Sequence, residues 1–278
     1  MDTPAQHNPL LDFSDLPRFD AITPECVAPA IESLLTQANE ALDQVTKPEF
    51  PAQWQAISSV LDVATERLGR AWGAVNHLNS VADTPELRAA YNMALPRVTE
   101  FWTRLGADER LYAKYKAMDA SKLNAEQQQA HINAMRGFVL GGADLQGPAK
   151  QRFAEIQEQQ AELSQKFSEN SLDATDAFAY YANADEIAGI PEDILATARQ
   201  AAQADGQPGY KLTLKMPCYL PVMQFAQRSD LRERLYRAHT TRASDQAQED
   251  HRKFDNTPHM QTLLALRQEE AGLLGYSN

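Results

Sequence analysis

The chain of 278 residues has only two cysteines, Cys26 and Cys218, far apart in sequence. Two such residues build neither a disulfide framework nor a CxxC metal knuckle, so a reducing, cytoplasmic setting is expected. Glycine (12) and proline (15) stay near average usage, which excludes collagen-like and low-complexity chains. Basic residues are outnumbered, 26 Lys and Arg against 38 Asp and Glu, and the net charge of −12 repels phosphate backbones and anionic lipid. Nucleic acid and membrane are therefore not expected partners. The opening MDTPAQHNPLLDFSDLPRFD carries acids where a targeting segment needs bases, and no apolar run approaches a membrane span.

Local catalytic machinery is missing as well. There is no HExxH, the pattern that sets two imidazoles one helical turn apart on a zinc ion with a glutamate to activate water. No GxxxxGK[ST] loop, GxGxxG turn or GxSxG elbow occurs. The six histidines, His7, His77, His131, His239, His251 and His259, are scattered, and the closest pair straddles Pro258. Solvated or helix-capping roles are the ordinary outcome for such residues. Cys26 and Cys218 read as packed thiols. Arg242 and Asp245 in TTRASDQ have the spacing of a structural ion pair, and Asn76 and Asn79 in NHLNSV suit helix capping. The paired acids Glu249-Asp250 and Glu269-Glu270 point different ways around a helix and read as solvated charge.

What is present is helical periodicity. Thr23-Pro24 starts a stripe of Val27, Ala30, Ile31, Leu34, Leu35, Ala38, Leu42 and Val45, predicting a helix over 24–45. A second stripe runs from Trp54 through Ile57, Val60, Leu61, Ala64, Leu68, Ala71 and Val75 to Leu78. Thr84-Pro85 starts a third, with a kink expected before Pro96, and shorter helices are predicted near 108–118 and 124–140, the last stopped by Gly141-Gly142. After a long helix from Pro148, the alternating segments 175–182 and 210–216 predict two strands around a helix at 191–204, with Pro217 and Pro221 ending the second. Helices opened by Ser229 and by Thr257-Pro258 complete the chain, with Gly275 as the final stop. The expected fold is mainly α, a multi-helix region with a minor two-stranded β element. Its expected parts are an extended arm (1–22), a helical bundle (23–147) and a helical region with the β element (148–278).

Several segments together are similar to one family. NPLLDFSDLPRFDAITPE, RLGRAWGAVNHLNSVADTPELRAAY (67–91), SLDATDAF (171–178), YLPVMQFAQRSDLRERLYRAHTTRASD (219–245), KFDNT (253–257) and LLALRQEEAGLLGYSN (263–278) occur in an order that resembles the amino-terminal part of the thimet oligopeptidase family of zinc metallopeptidases. The resemblance implies an intracellular enzyme that cuts short peptides in a deep channel between two mostly helical halves. It also implies that the zinc ligands, a HExxH helix and a downstream glutamate, lie in a carboxy-terminal catalytic part. No position here matches a family zinc ligand, general base or transition-state stabiliser, so catalytic, cofactor-binding and metal residues are assigned to none. The expected role is scaffold and channel wall, inactive alone and without its own zinc. The rival reading is a non-enzymatic helical interaction module. Self-association is expected through Leu263, Leu264, Leu266, Leu273 and Leu274, which spread over more than one narrow stripe.

Overall fold

Proline fits the first turn of a helix, where its missing N–H is not needed, and the first long helix uses it. In a computed structural model, which describes residues 8–278, α1 (Pro24–Val45) buries Val27, Ala30, Ile31, Leu34, Leu35, Ala38, Ala41, Leu42 and Val45 along one side. His7 and the start of the arm lie outside the described residues. The next stripe forms α2 (Trp54–Ile57), a π-helical turn (Ser58–Asp62) and α3 (Val63–Val81). The π turn inserts one extra residue into the helical ladder, which the apolar spacing does not betray. In α4 (Pro85–Gly106), the Thr84 hydroxyl accepts from the Leu87 amide, and the helix continues through Pro96. Helix α1 packs against both α3 and α4. Leu10, Leu11, Phe13 and Ile22 of the arm close over this core, around 3-10 turns at Pro9–Leu11 and Phe19–Ala21.

Helices α5 (Glu109–Lys116) and α6 (Ala125–Leu140) place Leu111, Tyr112, Tyr115 and Phe138 against Leu42, Val45, Ile57 and Leu61 in a second cluster. Asn124 and Gln127 form a reciprocal capping box at the start of α6. At its end Gly142 takes φ +82° and the Ala143 amide bonds back to the Phe138 carbonyl, a Schellman-type stop. A side chain on Gly141 would meet the Gly106 carbonyl oxygen at 2.8 Å, so the ends of α4 and α6 touch backbone to backbone.

The long helix α7 (Gly147–Ala177) carries the chain from one compact unit into another. One unit runs to Glu162 and takes in Leu266–Asn278, and the other is Leu163–Ala265. In the second unit β1 (Tyr180–Ala182) pairs antiparallel with β2 (Tyr210–Leu212), Tyr181 opposite Lys211. These flank α8 (Glu192–Ala204). Then follow α9 (Met216–Phe225), α10 (Ser229–Thr241) and a 3-10 turn at Glu249–Phe254, and α11 (Thr257–Leu273) leads back to the first unit. The molecule is mainly α with a two-stranded sheet, as its sequence predicts.

Both strands are shorter than the alternation implies. Residues 175–177 finish α7, where the Thr175 hydroxyl donates to the Ser171 carbonyl one turn back. Met216 opens α9, so Pro217 starts a helix rather than ending a strand, and Pro221 lies inside it. A helix as uniformly apolar as MPCYLPVMQF has no period to read. The five leucines behind the expected self-association are also mostly covered. Leu263 and Leu266 are buried and Leu273 and Leu274 half-buried, leaving Leu264 as the exposed one, at 66%.

Candidate functional site

Helix α4 from Pro96 onward, the α4–α5 turn and the first turns of α7 line an open cavity of about 750 Å³ in the first unit. Asp108 caps α5 here, accepting from the backbone amides of Arg110 (2.9 Å) and Leu111 (3.0 Å) and from the Arg110 guanidinium (2.7 Å). Burial pushes its pKa up, but the Arg110 side chain and these amides outweigh burial and hold the carboxyl below its ordinary range. Glu109 beside it accepts from Lys150 (2.7 Å), which lowers its pKa too. The cavity is thus lined by paired charges, Asp108 with Arg110 and Glu109 with Lys150, together with the buried Phe153.

A second cavity, about 350 Å³, shares Thr99, Thr103 and Phe153 with the first. Trp72 and Trp102 line it, together with Gly106, Gly141, Gln157 and Glu270. The Glu270 carboxylate accepts one amide bond on each oxygen, from Gln157 (2.8 Å) and Gln160 (2.7 Å). Its neighbour Glu269 takes both ends of the Arg152 guanidinium, at 2.7 and 2.8 Å. The reading of Glu269-Glu270 as solvated charge is therefore corrected: both stitch α11 to α7. The signal for it was present, since Gln157 and Gln160 stand three residues apart on one face of a helix.

The remaining singled-out residues are dispersed. His77 meets the Phe19 ring edge-on, His131 bonds the Tyr115 carbonyl at 2.8 Å, and His251 lies 3.6 Å from Asp250 and edge-on to Phe178. His239 stacks on Tyr219 with ring centroids 4.2 Å apart. His259 is half-buried, and Glu249 is exposed in its 3-10 turn. Arg242 does not pair with Asp245; its guanidinium folds back onto the His239 carbonyl and closes the end of α10, while Asp245 is exposed. Asn76 accepts from the Tyr91 hydroxyl (3.0 Å), and Asn79 is buried. Cys26 and Cys218 are free thiols; the latter accepts from the Thr213 amide. Among the described residues no three His, Cys, Asp or Glu side chains come together as a metal site, and no helix is long and apolar enough to cross a membrane.

A polar knot in the second unit escaped the reading of the sequence. Asn256 of KFDNT, 1% exposed, donates to the Phe167 carbonyl (3.0 Å) and the Ser171 hydroxyl (3.3 Å) and accepts from Asn170 (3.0 Å). Its own amide bonds the carbonyl of Ala243, the one described non-glycine residue with positive φ. One residue thereby joins the start of α11 to α7 through its side chain and to the turn after α10 through its backbone amide.

Residues 31–150 match the family model described as the Neurolysin/Thimet oligopeptidase N-terminal domain. Beyond that segment, 98% of the chain aligns at 42% identity with oligopeptidase A of Salmonella typhimurium and at 41% with that of Escherichia coli. The chain is related to the amino-terminal part of the thimet oligopeptidase family. A probable cytosolic oligopeptidase A of Arabidopsis thaliana is 38% identical over 98% of the chain. The chain spans about 40% of the length of these oligopeptidases.

Proposed function

We propose that the chain is the amino-terminal scaffold and substrate-channel wall of a zinc-dependent, cytoplasmic oligopeptidase that hydrolyses short peptides. The observation that carries this reading is the end-to-end alignment at 42% identity with 40% of oligopeptidase A. The described side chains do not fit a zinc ion, so the reading places the metal and the bond-breaking groups in a carboxy-terminal part, and no chemical step is derived through them. The role left to this chain is geometric: a wall of packed helices confines the space beside the catalytic part, so that an unfolded peptide enters and a folded domain does not. In the second unit Leu220, Phe225 and Tyr236 stand out from α9 and α10 at 45–53% exposure, and the catalytic part would cover them.

The test is reconstitution. The chain alone is expected to hold no stoichiometric zinc and to leave a quenched fluorescent peptide uncut. Added to the remaining carboxy-terminal part of Salmonella typhimurium oligopeptidase A, it should restore cleavage, and Phe225→Ser with Leu220→Ser should weaken the restoration. Metal-dependent cleavage by the chain alone would overturn the proposal, as would two folded parts that bind each other without gaining activity.

A further inference from the structure

The smaller cavity has a chemistry that its stitching role does not use up. The Glu270 carboxylate is fixed by Gln157 and Gln160, which are neutral, so its charge is oriented without being balanced by them. Each oxygen keeps a free lone-pair direction. Arg152, the cation on the same stretch of α7, is committed to Glu269 and Glu155. Two indoles line the same space. Trp72 is held by a stack on Tyr91 at 4.5 Å, and Trp102 by an edge contact with Phe101 at 5.3 Å. Indole is the strongest aromatic partner for a cation. Gly106 and Gly141, whose backbones touch, contribute main chain to the lining.

We infer that this cavity binds an organic cation, the guanidinium or ammonium head group that an arginine or lysine side chain presents. The carboxylate supplies the charge, the indoles supply apolar and π surface, and about 350 Å³ suits one side chain, near the small end of ligand sites. A bare metal ion is disfavoured, because one carboxylate among amides and indoles lacks the oxygen or nitrogen ligands that a cation shell needs. The inference requires only this chain and stands whether or not the oligopeptidase reading holds.

The whole chain is titrated with N-acetyl-arginine amide, N-acetyl-lysine amide and the neutral isostere N-acetyl-citrulline amide, following tryptophan fluorescence and the indole N–H resonances. Saturable binding of at least one of the two cations, with citrulline inert, is expected, and whichever head group binds more tightly identifies the preferred chemistry. Glu270→Gln should weaken binding by about tenfold or more, and added salt should weaken it as well. Trp102→Leu, at a position 39% exposed and so tolerant of change, should weaken binding severalfold while leaving the circular dichroism unaltered. The inference fails if neither cation saturates, if citrulline binds equally, or if both variants bind as the parent does.

Discussion

The two compact units are held by different means. In the first, α1 alone buries nine apolar side chains in an unbroken three- and four-residue rhythm, and α3 and α4 close on it. In the second, α10 buries only Leu231 and Leu235, and its core is assembled from short pieces, β1, β2, α8 and α9. Beside that apolar core stands a polar knot, Asn256 with its bonds to Asn170, Phe167 and Ser171, which ties α7 to the start of α11. Apolar burial is non-directional and tolerates sliding, whereas a buried amide must find particular partners. Apolar stripes suffice to pack α1 with α3 and α4, whereas the knot fixes which residues of α7 meet the start of α11.

This contrast is tested by truncating one representative of each kind. Leu68, fully buried in the first core, should lose about 2–5 kcal/mol of unfolding free energy as Leu68→Ala, while Leu68→Met should cost under about 1.5 kcal/mol. Urea unfolding reads both. Asn256→Ala should cost less, about 1–3 kcal/mol, chiefly because Asn170 loses its partner, and the Phe167 carbonyl one of its two side-chain donors, in a dry site. Asn256→Asp should not rescue it, since a carboxylate cannot donate to that carbonyl. If Asn256→Asp unfolds at the parental urea concentration, the knot is not what positions α7 against the start of α11. If Leu68→Met costs as much as Leu68→Ala, shape rather than hydrocarbon volume governs the first core.

The same contrast explains what could be read in the sequence. Helices α1, α3, α4 and α6 announce themselves through Thr-Pro starts, apolar stripes and the Gly141-Gly142 stop, because those signals are local. The sheet is foreseeable as two strands but not in its length, since three residues of alternation do not differ from a helix end. Helix α9 is hidden by its own hydrophobicity, and the π turn at 58–62 by a spacing that a regular helix would also satisfy. At the candidate site the loss is greater. Glu270 faces Gln157 across more than a hundred residues, and Asn256 reaches Phe167 across almost as many. No periodicity encodes such pairs; only the packed helices bring them together.

The smallest expected effect lies in the second unit and is read by pH. His239, stacked on Tyr219 in the second unit, has its pKa lowered, first by burial and then by the Arg242 charge. A base whose folded pKa lies below its unfolded value of about 6.5 is stabilised in the neutral form. Above about pH 6.5 both states leave it neutral and the contribution is complete. As pH falls from there toward the folded pKa, the unfolded chain takes up the proton first and stability is lost. The carboxylates act in a different window. Asp230, held at about 2 by its bond to Arg228, and the lowered Asp108 retain their contributions until the pH drops below about 4. Between about pH 7.5 and about pH 5 the histidine effect should therefore stand apart from theirs. His239→Gln should make the urea midpoint less sensitive to pH across that interval and leave the acid limb below about pH 4 in place. The other described histidines are the same in parent and variant, so the difference between the two curves isolates this ring. Parallel curves would mean that the Tyr219 stack accepts the imidazolium as readily as the imidazole, with the cation–π attraction of the protonated ring offsetting both burial and Arg242.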